Sequence, residues 1–412
     1  MSHDERDHEE EARPRVLAIA FSCQPDMGSE PGAAWGMVKS IAEVSDVTVL
    51  VASTEIGTIE RELRSEPDDR LTFVSVATPE TGLIHRLIAI HRQVWFLIYV
   101  LWLKSARRIG RELHAEQPFD AVVHVSYGSY WLPSPASDIG PPSVWGPVGG
   151  ATNTPWRLWP YLGWRGVLGE IEGTIAIRLG AWHPATRRTW RNATIRIAET
   201  ENTRQALPRA WRSETRVLNR AILSRIPLQV QCDRSDYLIF PSSLQGRKGP
   251  RLAVRALAFT PPSVRLRFIS DGYETATLRR MANRLGVGDR VEFLGRVPRD
   301  EMFKMMNEAA AVVFTGLREE GGCALSEAML VGAPVIVLGH GGARLIAETN
   351  TDPNRVKIID PAGRTETAKR IGAAMTLFSG NPLQAKGSYL DQASVEAGLH
   401  QAVLDAIEIG RG

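Results

Sequence analysis

Apolar residues along most of the chain alternate between short β-prone runs and longer stretches at helical spacing. Val16 to Phe21 forms one such run, followed by the Gly- and Pro-containing stretch SCQPDMGSEPGAAWG. Helical spacing then covers Ala33 to Val44, and Val47 to Ala52 reads as the next strand, giving a β-loop-α-β unit. The alternation continues through Leu71 to Val76, a helical pattern over 83–115, and the strand Ala121 to Val125. This half of the chain therefore reads as a doubly wound parallel sheet, whose strand-end loops carry function.

A second series starts near Tyr237. It runs YLIFP, a helix over 249–259, VRLRFIS, a helix over 275–285, VEFLG, a helix over 299–309, AAVVFT, a helix from Cys323 and the strand PVIVLG. The reading is α/β with two domains, the boundary lying between Ala206 and Asp233. The chain divides into an acidic disordered tail (1–14), a first Rossmann-like domain (15–215), a second (216–390) and a C-terminal helix (391–412) that fits against either domain. Residues 151–191 break the pattern, with Trp156, Trp159, Trp164, Trp182 and Trp190 among Gly, Pro and Arg, and read as an insertion.

At 412 residues the chain suits two cores, and its 43% hydrophobic and 23% charged residues are those of an ordinary globular protein. Its 49 Lys and Arg against 46 Asp and Glu leave a net charge of +3, which gives no reason to expect nucleic acid as a partner. Cys23, Cys232 and Cys323 show neither disulfide nor zinc spacing, which fits a reducing cytoplasm. The N-terminus lacks the apolar core of a secretory signal. The longest apolar run, Val94 to Leu103, falls short of the roughly 20 residues of a spanning helix, so no transmembrane segment is expected. The tryptophan-rich segment and the basic, apolar stretch from Leu83 to Arg108 suit either peripheral contact with the inner face of a membrane or plain packing.

The most informative segment is Arg318-Glu319-Glu320-Gly321-Gly322-Cys323-Ala324-Leu325-Ser326-Glu327, between a strand and a helix. Gly321 and Gly322 permit close backbone approach, and the free N–H groups at the helix start, Cys323 included, suit phosphate. Glu327, one turn into the helix, can accept from a ribose diol, and Glu319 from sugar hydroxyls. The same residues also fit a capped helix with two exposed acids.

Glu319 and Glu327 form E-x7-E within GLREEGGCALSEAMLVGAPVIV, which resembles the signature of retaining glycosyltransferase family 4 (glycosyl transferases group 1). The segment LRFISDGYETATLRRMANRLGVGDRVEFLGRVPRDEM and RKGPRLAVRALA resemble that family in order, so the likeness covers roughly 237 to 348. It implies the GT-B fold, two facing Rossmann-like domains with the donor held mainly by the second in an interdomain cleft. The implied activity is transfer, with retention, from a nucleotide diphosphate sugar to a saccharide or lipid-linked acceptor. The donor is a substrate and no cofactor is implied. With no Asp-x-Asp, no metal is expected.

The resemblance assigns Lys248 to the diphosphate, although it also fits a surface lysine. Ser243 stands where the family has an arginine, and Arg247 is the nearest candidate for the missing charge. Glu320 and Gly321 stand where relatives have Gly and Phe. GSEPGAAW resembles the family's first Gly-containing loop, with Gly28 and Gly32 at its close approaches, but also suits a simple turn. His124 resembles a reaction-centre histidine that contacts sugar or acceptor, and also a structural strand-end histidine. VWGPVGGATNTP resembles one subgroup, with Gly149 and Gly150 facing the cleft. Glu199 to Thr203 reads as a helix cap. Two other readings stay open: a nucleotide-sugar epimerase of the same architecture, and a donor-binding protein without turnover.

Overall fold

Aliphatic runs buried on both faces form the strands, as parallel sheets require: AVVH, AVVF and VIVL have no exposed member. A computed structural model of the chain describes residues 12–25, 27–78, 93–223, 225–226, 234–384 and 387–412. The first sheet comprises β1 (Arg15–Ile19), β2 (Asp46–Ala52), β3 (Leu71–Val76), β4 (Ala121–His124), β5 (Ser143–Val148), β6 (Ile195–Ala198) and β7 (Thr215–Val217). The second comprises β8 (Leu238–Phe240), β9 (Leu266–Phe268), β10 (Val291–Phe293), β11 (Ala311–Phe314), β12 (Val335–Leu338) and β13 (Val356–Ile359). Their orders are β3-β2-β1-β4-β5-β6-β7 and β10-β9-β8-β11-β12-β13. Every described pairing between these strands is parallel.

Strand order reverses direction between β1 and β4 in the first sheet and between β8 and β11 in the second. Ligands of open parallel sheets bind at such switch points, beyond the strands' carboxyl ends. The loops there are those after β1, β4, β8 and β11, which carry Gly28, Tyr127, Lys248 and Glu319. The expected two Rossmann-like domains are present.

Three expectations need correction. Residues 12–14, assigned to the tail, are held in place: the Arg13 guanidinium donates to Asp46 Oδ1 at 3.1 Å and to the Ala42 carbonyl at 2.8 Å. The division at 215/216 falls inside β7, a strand of the first sheet. Residues 151–191 are no insertion but the connection between the parallel neighbours β5 and β6, which need a crossover of a dozen or more residues. Part of that crossover even leaves the first domain, since Leu158, Tyr161 and Leu162 bury in the core of the second. The C-terminal helix, which suited either domain, is Gln392–Arg411 and packs on the first, where Leu399, Val403 and Ile407 meet Val38 and Ile41. Residues 1–11, residues 83–92 of the expected long helix, Cys232 and the rest of the expected linker over 227–233 lie outside the described residues.

Because Leu399 is wholly buried against the first sheet, Leu399→Ala is expected to destabilise that domain by about 2–5 kcal/mol. Urea unfolding followed by far-UV dichroism will show this as an earlier first transition.

Candidate active site

On the second domain, the loop after β11 ends at Gly322, whose φ of 60° is open to glycine at no steric cost, and there the helix Cys323–Leu330 begins. Glu319 in this loop is buried, with Oε1 2.6 Å from Lys248 Nζ and 4.0 Å from Arg247 Nη1. Lys248 and Arg247 come from the short turn Gly246–Lys248 that follows β8. The Arg247 carbonyl accepts from the N–H groups of Leu317 and Arg318, tying the two loops together. Glu327, also buried, pairs with Arg299 at 2.9 Å. Burial raises its pKa above the usual carboxylate range, and Arg299 opposes the rise. Burial likewise pushes the Cys323 thiol up, so that it stays neutral and only its backbone is available to an anion.

The first domain closes on this edge. A Cβ on Gly28 would lie 2.5 Å from Arg299 Nη1 and 3.3 Å from Glu327 Oε1, so a side chain there would collide with that pair. Behind it, the buried Arg220 guanidinium meets Glu30 Oε1 at 2.9 Å and Glu199 Oε1 at 3.0 Å, and donates to the carbonyls of Val125 and Pro147. Burial raises Glu199 above the usual carboxylate range, with Arg220 pulling the other way. These groups, with Gly149, Gly150, Glu320 and Gly321, line a cavity of about 180 Å³ between the domains. Gly149 and Gly150 thus face the cleft.

Glu320 crosses that cleft. Its carboxylate accepts from the Thr152 N–H and from the Thr200 hydroxyl, and its carbonyl accepts from Asn219 Nδ2 at 2.7 Å. Thr200 caps the helix Glu201–Ala206 through the Thr203 N–H, the capping role expected for this stretch. A second, larger cavity of about 480 Å³ lies between the helix Gly163–Trp182 and the Arg247 loop. Arg165, Arg247 and Arg318 line it, and Arg318 pairs with Glu170 of that helix at 3.2 Å.

His124 stands apart from the other expected site residues. It is 2% exposed and is not among the residues lining the interdomain cavities. Its Nδ1 faces the Ser134 hydroxyl at 2.7 Å, and its Nε2 faces the Ser126 carbonyl and Tyr99 hydroxyl, both at 3.0 Å. With both ring nitrogens engaged internally, contact with sugar or acceptor has no support in this geometry. Burial lowers its pKa to about 4. The structure therefore gathers Gly28, Arg247, Lys248, Glu319, Gly321, Gly322, Cys323 and Glu327 around the cleft and leaves His124 in the core.

Sequence reasoning missed Arg299, Arg318, Glu170 and the Glu30–Arg220–Glu199 group. Arg318 adjoins Glu319, but none of these residues carries a spacing signal.

Residues 230–375 match the family described as glycosyl transferases group 1. The match covers about a third of the chain. The chain also resembles a 2-deoxystreptamine glucosyltransferase of Streptomyces kanamyceticus, 32% identical over 25% of this chain and 27% of the relative. A D-inositol 3-phosphate glycosyltransferase of Xylanimonas cellulosilytica is 32% identical over 31% of this chain and 30% of the relative. The matched stretch thus spans less than a third of these relatives' lengths. Across the fold, the Anabaena protein Alr3699/HepE in complex with UDP aligns with a TM-score of 0.52 at 15% identity, covering 96% of this chain and 100% of that one. The lipopolysaccharide outer core galactosyltransferase WaaB in its apo form aligns with a TM-score of 0.56 at 12% identity, covering 96% and 99%. The fold is GT-B.

Two outcomes are expected of this site. Glu320→Ala removes the acceptor of the Thr152 amide and is expected to cost about 1–3 kcal/mol, with faster hydrogen exchange at Thr152 and Thr203 as the readout. For His124, the unfolded chain takes up a proton below its pKa of about 6.5 that the folded chain refuses until about pH 4. Its effect is a loss of stability as pH falls from 6.5 to 4, which His124→Gln is expected to flatten in denaturant midpoints measured against pH.

Proposed function

We propose that the chain is a retaining, metal-independent glycosyltransferase that moves a sugar from a nucleotide diphosphate donor to a glycan or lipid-linked acceptor. The observation that carries this reading is the Lys248–Glu319 pair, brought together from two loops at the switch point of the second sheet. An ammonium there suits the charge that develops on a departing diphosphate, and the N–H groups from Gly321 to Cys323 offer it a helix N-terminus. Arg247 adds positive charge at the same edge. Glu319 orients the sugar, and Glu327 holds the ribose diol while Gly28 lets the first domain approach.

In the proposed step the bond from the anomeric carbon to the diphosphate oxygen breaks, and the acceptor oxygen bonds to the same face of the sugar. The acceptor proton passes to the departing phosphate, so no nucleophilic carboxylate is needed. Closure of the two domains limits access of water. His124 has no direct part and serves the packing beneath the loop. A second reading, donor binding without turnover, is favoured by Ser243 and by Glu320 and Gly321 standing where the resembled family has Gly and Phe.

Nucleoside diphosphate release from a panel of nucleotide sugars, in EDTA and with crude acceptor extract, tests the proposal. Glu319→Ala and Lys248→Ala are each expected to lower release from the preferred donor roughly 10²- to 10³-fold. Clear donor binding with no release from any sugar by the unaltered protein would favour the second reading.

A further inference from the structure

The helix Gly163–Trp182 has two unlike faces. On one, Glu170 meets Arg318, and added Cβ atoms on Gly166 and Gly173 would approach Gly246 and Arg318 of the second domain. On the other stand Trp164, Leu168, Ile171, Ile175, Leu179 and Trp182, spaced by four, three, four, four and three residues. At 3.6 residues per turn these six side chains fall within about 80° of arc, in a stripe roughly 27 Å long. All six are exposed, from 44% at Ile171 to 71% at Trp182. A contiguous exposed apolar stripe on a folded protein marks an interaction surface.

The charge around the stripe says which kind. Segment 151–192 holds six arginines, Arg157, Arg165, Arg178, Arg187, Arg188 and Arg191, all exposed, against two glutamates, of which Glu170 is buried in the Arg318 pair. Arginines also cover the exposed indoles: Arg165 lies 5.3 Å from the Trp164 ring centroid, Arg187 4.5 Å from Trp182, and Arg157 5.2 Å from the neighbouring Trp156. Indole rings with arginines beside them suit the zone where acyl chains meet headgroup phosphates. Pairing with a second copy of this face would set arginines against arginines, whereas an anionic lipid surface satisfies stripe and rim together. No helix among the described residues is long and apolar enough to cross a membrane, so the helix would lie in the plane of the surface.

We propose that the exposed face of the helix Gly163–Trp182 docks the protein on an anionic lipid bilayer. The apolar stripe enters the boundary between headgroups and acyl chains, and the flanking arginines bind lipid phosphates. Because the opposite face of the same helix borders the 480 Å³ cavity beside Arg247 and Arg318, docking sets the cleft next to the membrane surface. An acceptor carried on a lipid follows from this placement. That last consequence rests on the transferase reading; the docking does not.

Flotation of the full chain with phosphatidylcholine vesicles, with and without phosphatidylglycerol, tests the docking in the absence of any donor. The unaltered protein is expected to float with the anionic vesicles at least roughly tenfold more than with the neutral ones, and brominated lipids should quench its tryptophan fluorescence. Ile171→Glu with Ile175→Glu should lower flotation at least roughly tenfold, and Arg165→Gln with Arg187→Gln about fivefold per charge. Near-UV dichroism of the variants separates lost binding from lost folding, and quenching of the unaltered protein needs no variant. Failure of the folded, unaltered protein to float, or equal flotation of the folded stripe variant, would overturn the proposal. So would a concentration-dependent dimer, without lipid binding, that the stripe variant dissolves. Since no readout uses a sugar donor, loss of the transferase reading and loss of this one are separate results.

Discussion

A single buried guanidinium organises the cleft. Arg220 sits just after the last strand of the first sheet, and reaches the ends of β4 and β5 through the Val125 and Pro147 carbonyls, the helix after β1 through Glu30, and the end of β6 through Glu199. Four loops from the carboxyl edge of the first sheet are thereby held by one side chain. A charge removed from water must have all its donors engaged or it destabilises the fold, so the position of each loop is coupled to the others. Two carboxylates share this one cation, and burial pushes Glu199 toward its neutral form. The cavity between the domains takes its shape from this arrangement, because Glu30, Glu199 and Arg220 form its first-domain wall.

The opposite wall is built from a different constraint, the closeness of two backbone turns. The Arg247 carbonyl accepts from consecutive amides of the β11 loop, which fixes where Glu319 can stand relative to Lys248. Glu320, the next residue, turns the other way and meets the first domain at Thr152 and Thr200. Adjacent acids thus serve opposite sides: one faces the second domain's cations, and its neighbour joins the two domains. A glycine at 320 would leave the second link unmade.

Legibility in the sequence followed length and periodicity. The runs that became β1, β2, β3, β8 and β11 are apolar and bounded by polar or Gly/Pro residues, so pattern alone located them. β7 has three residues and β6 four with Arg196 among them, while β5 contains Gly146 and Pro147, so none shows the uninterrupted run that marks a buried strand. Glu319, Glu327 and Lys248 were legible because their spacing resembles a family signature. Arg220, Arg299 and Glu170 were not, because each acts through a partner distant in sequence: Glu30 and Glu199, Glu327, and Arg318. His124 misled for the reverse reason. Its place at a strand end looks functional, and only the partners on both ring nitrogens show that its hydrogen-bonding capacity is already used.

The departure at Ser243 is best understood together with the crossover helix. Ser243 lacks the cation that the family pattern would place in its loop, yet the larger cavity beside that loop is lined by three arginines, one from each of three segments: Arg165, Arg247 and Arg318. Arg165 comes from the crossover, which is packed into the second domain on either side of it through Leu162 and Val167, and its guanidinium lies 6.0 Å from the Tyr273 ring centroid. On the proposed reading, the charge that Ser243 does not supply is met by arginines gathered around the second domain, one of them carried by a chain segment that belongs in sequence to the first. The helix that carries Arg165 also carries the exposed stripe. Anything that holds this helix in place therefore bears on the charge presented to the cavity, and the surface of the protein and its cleft act through the same element.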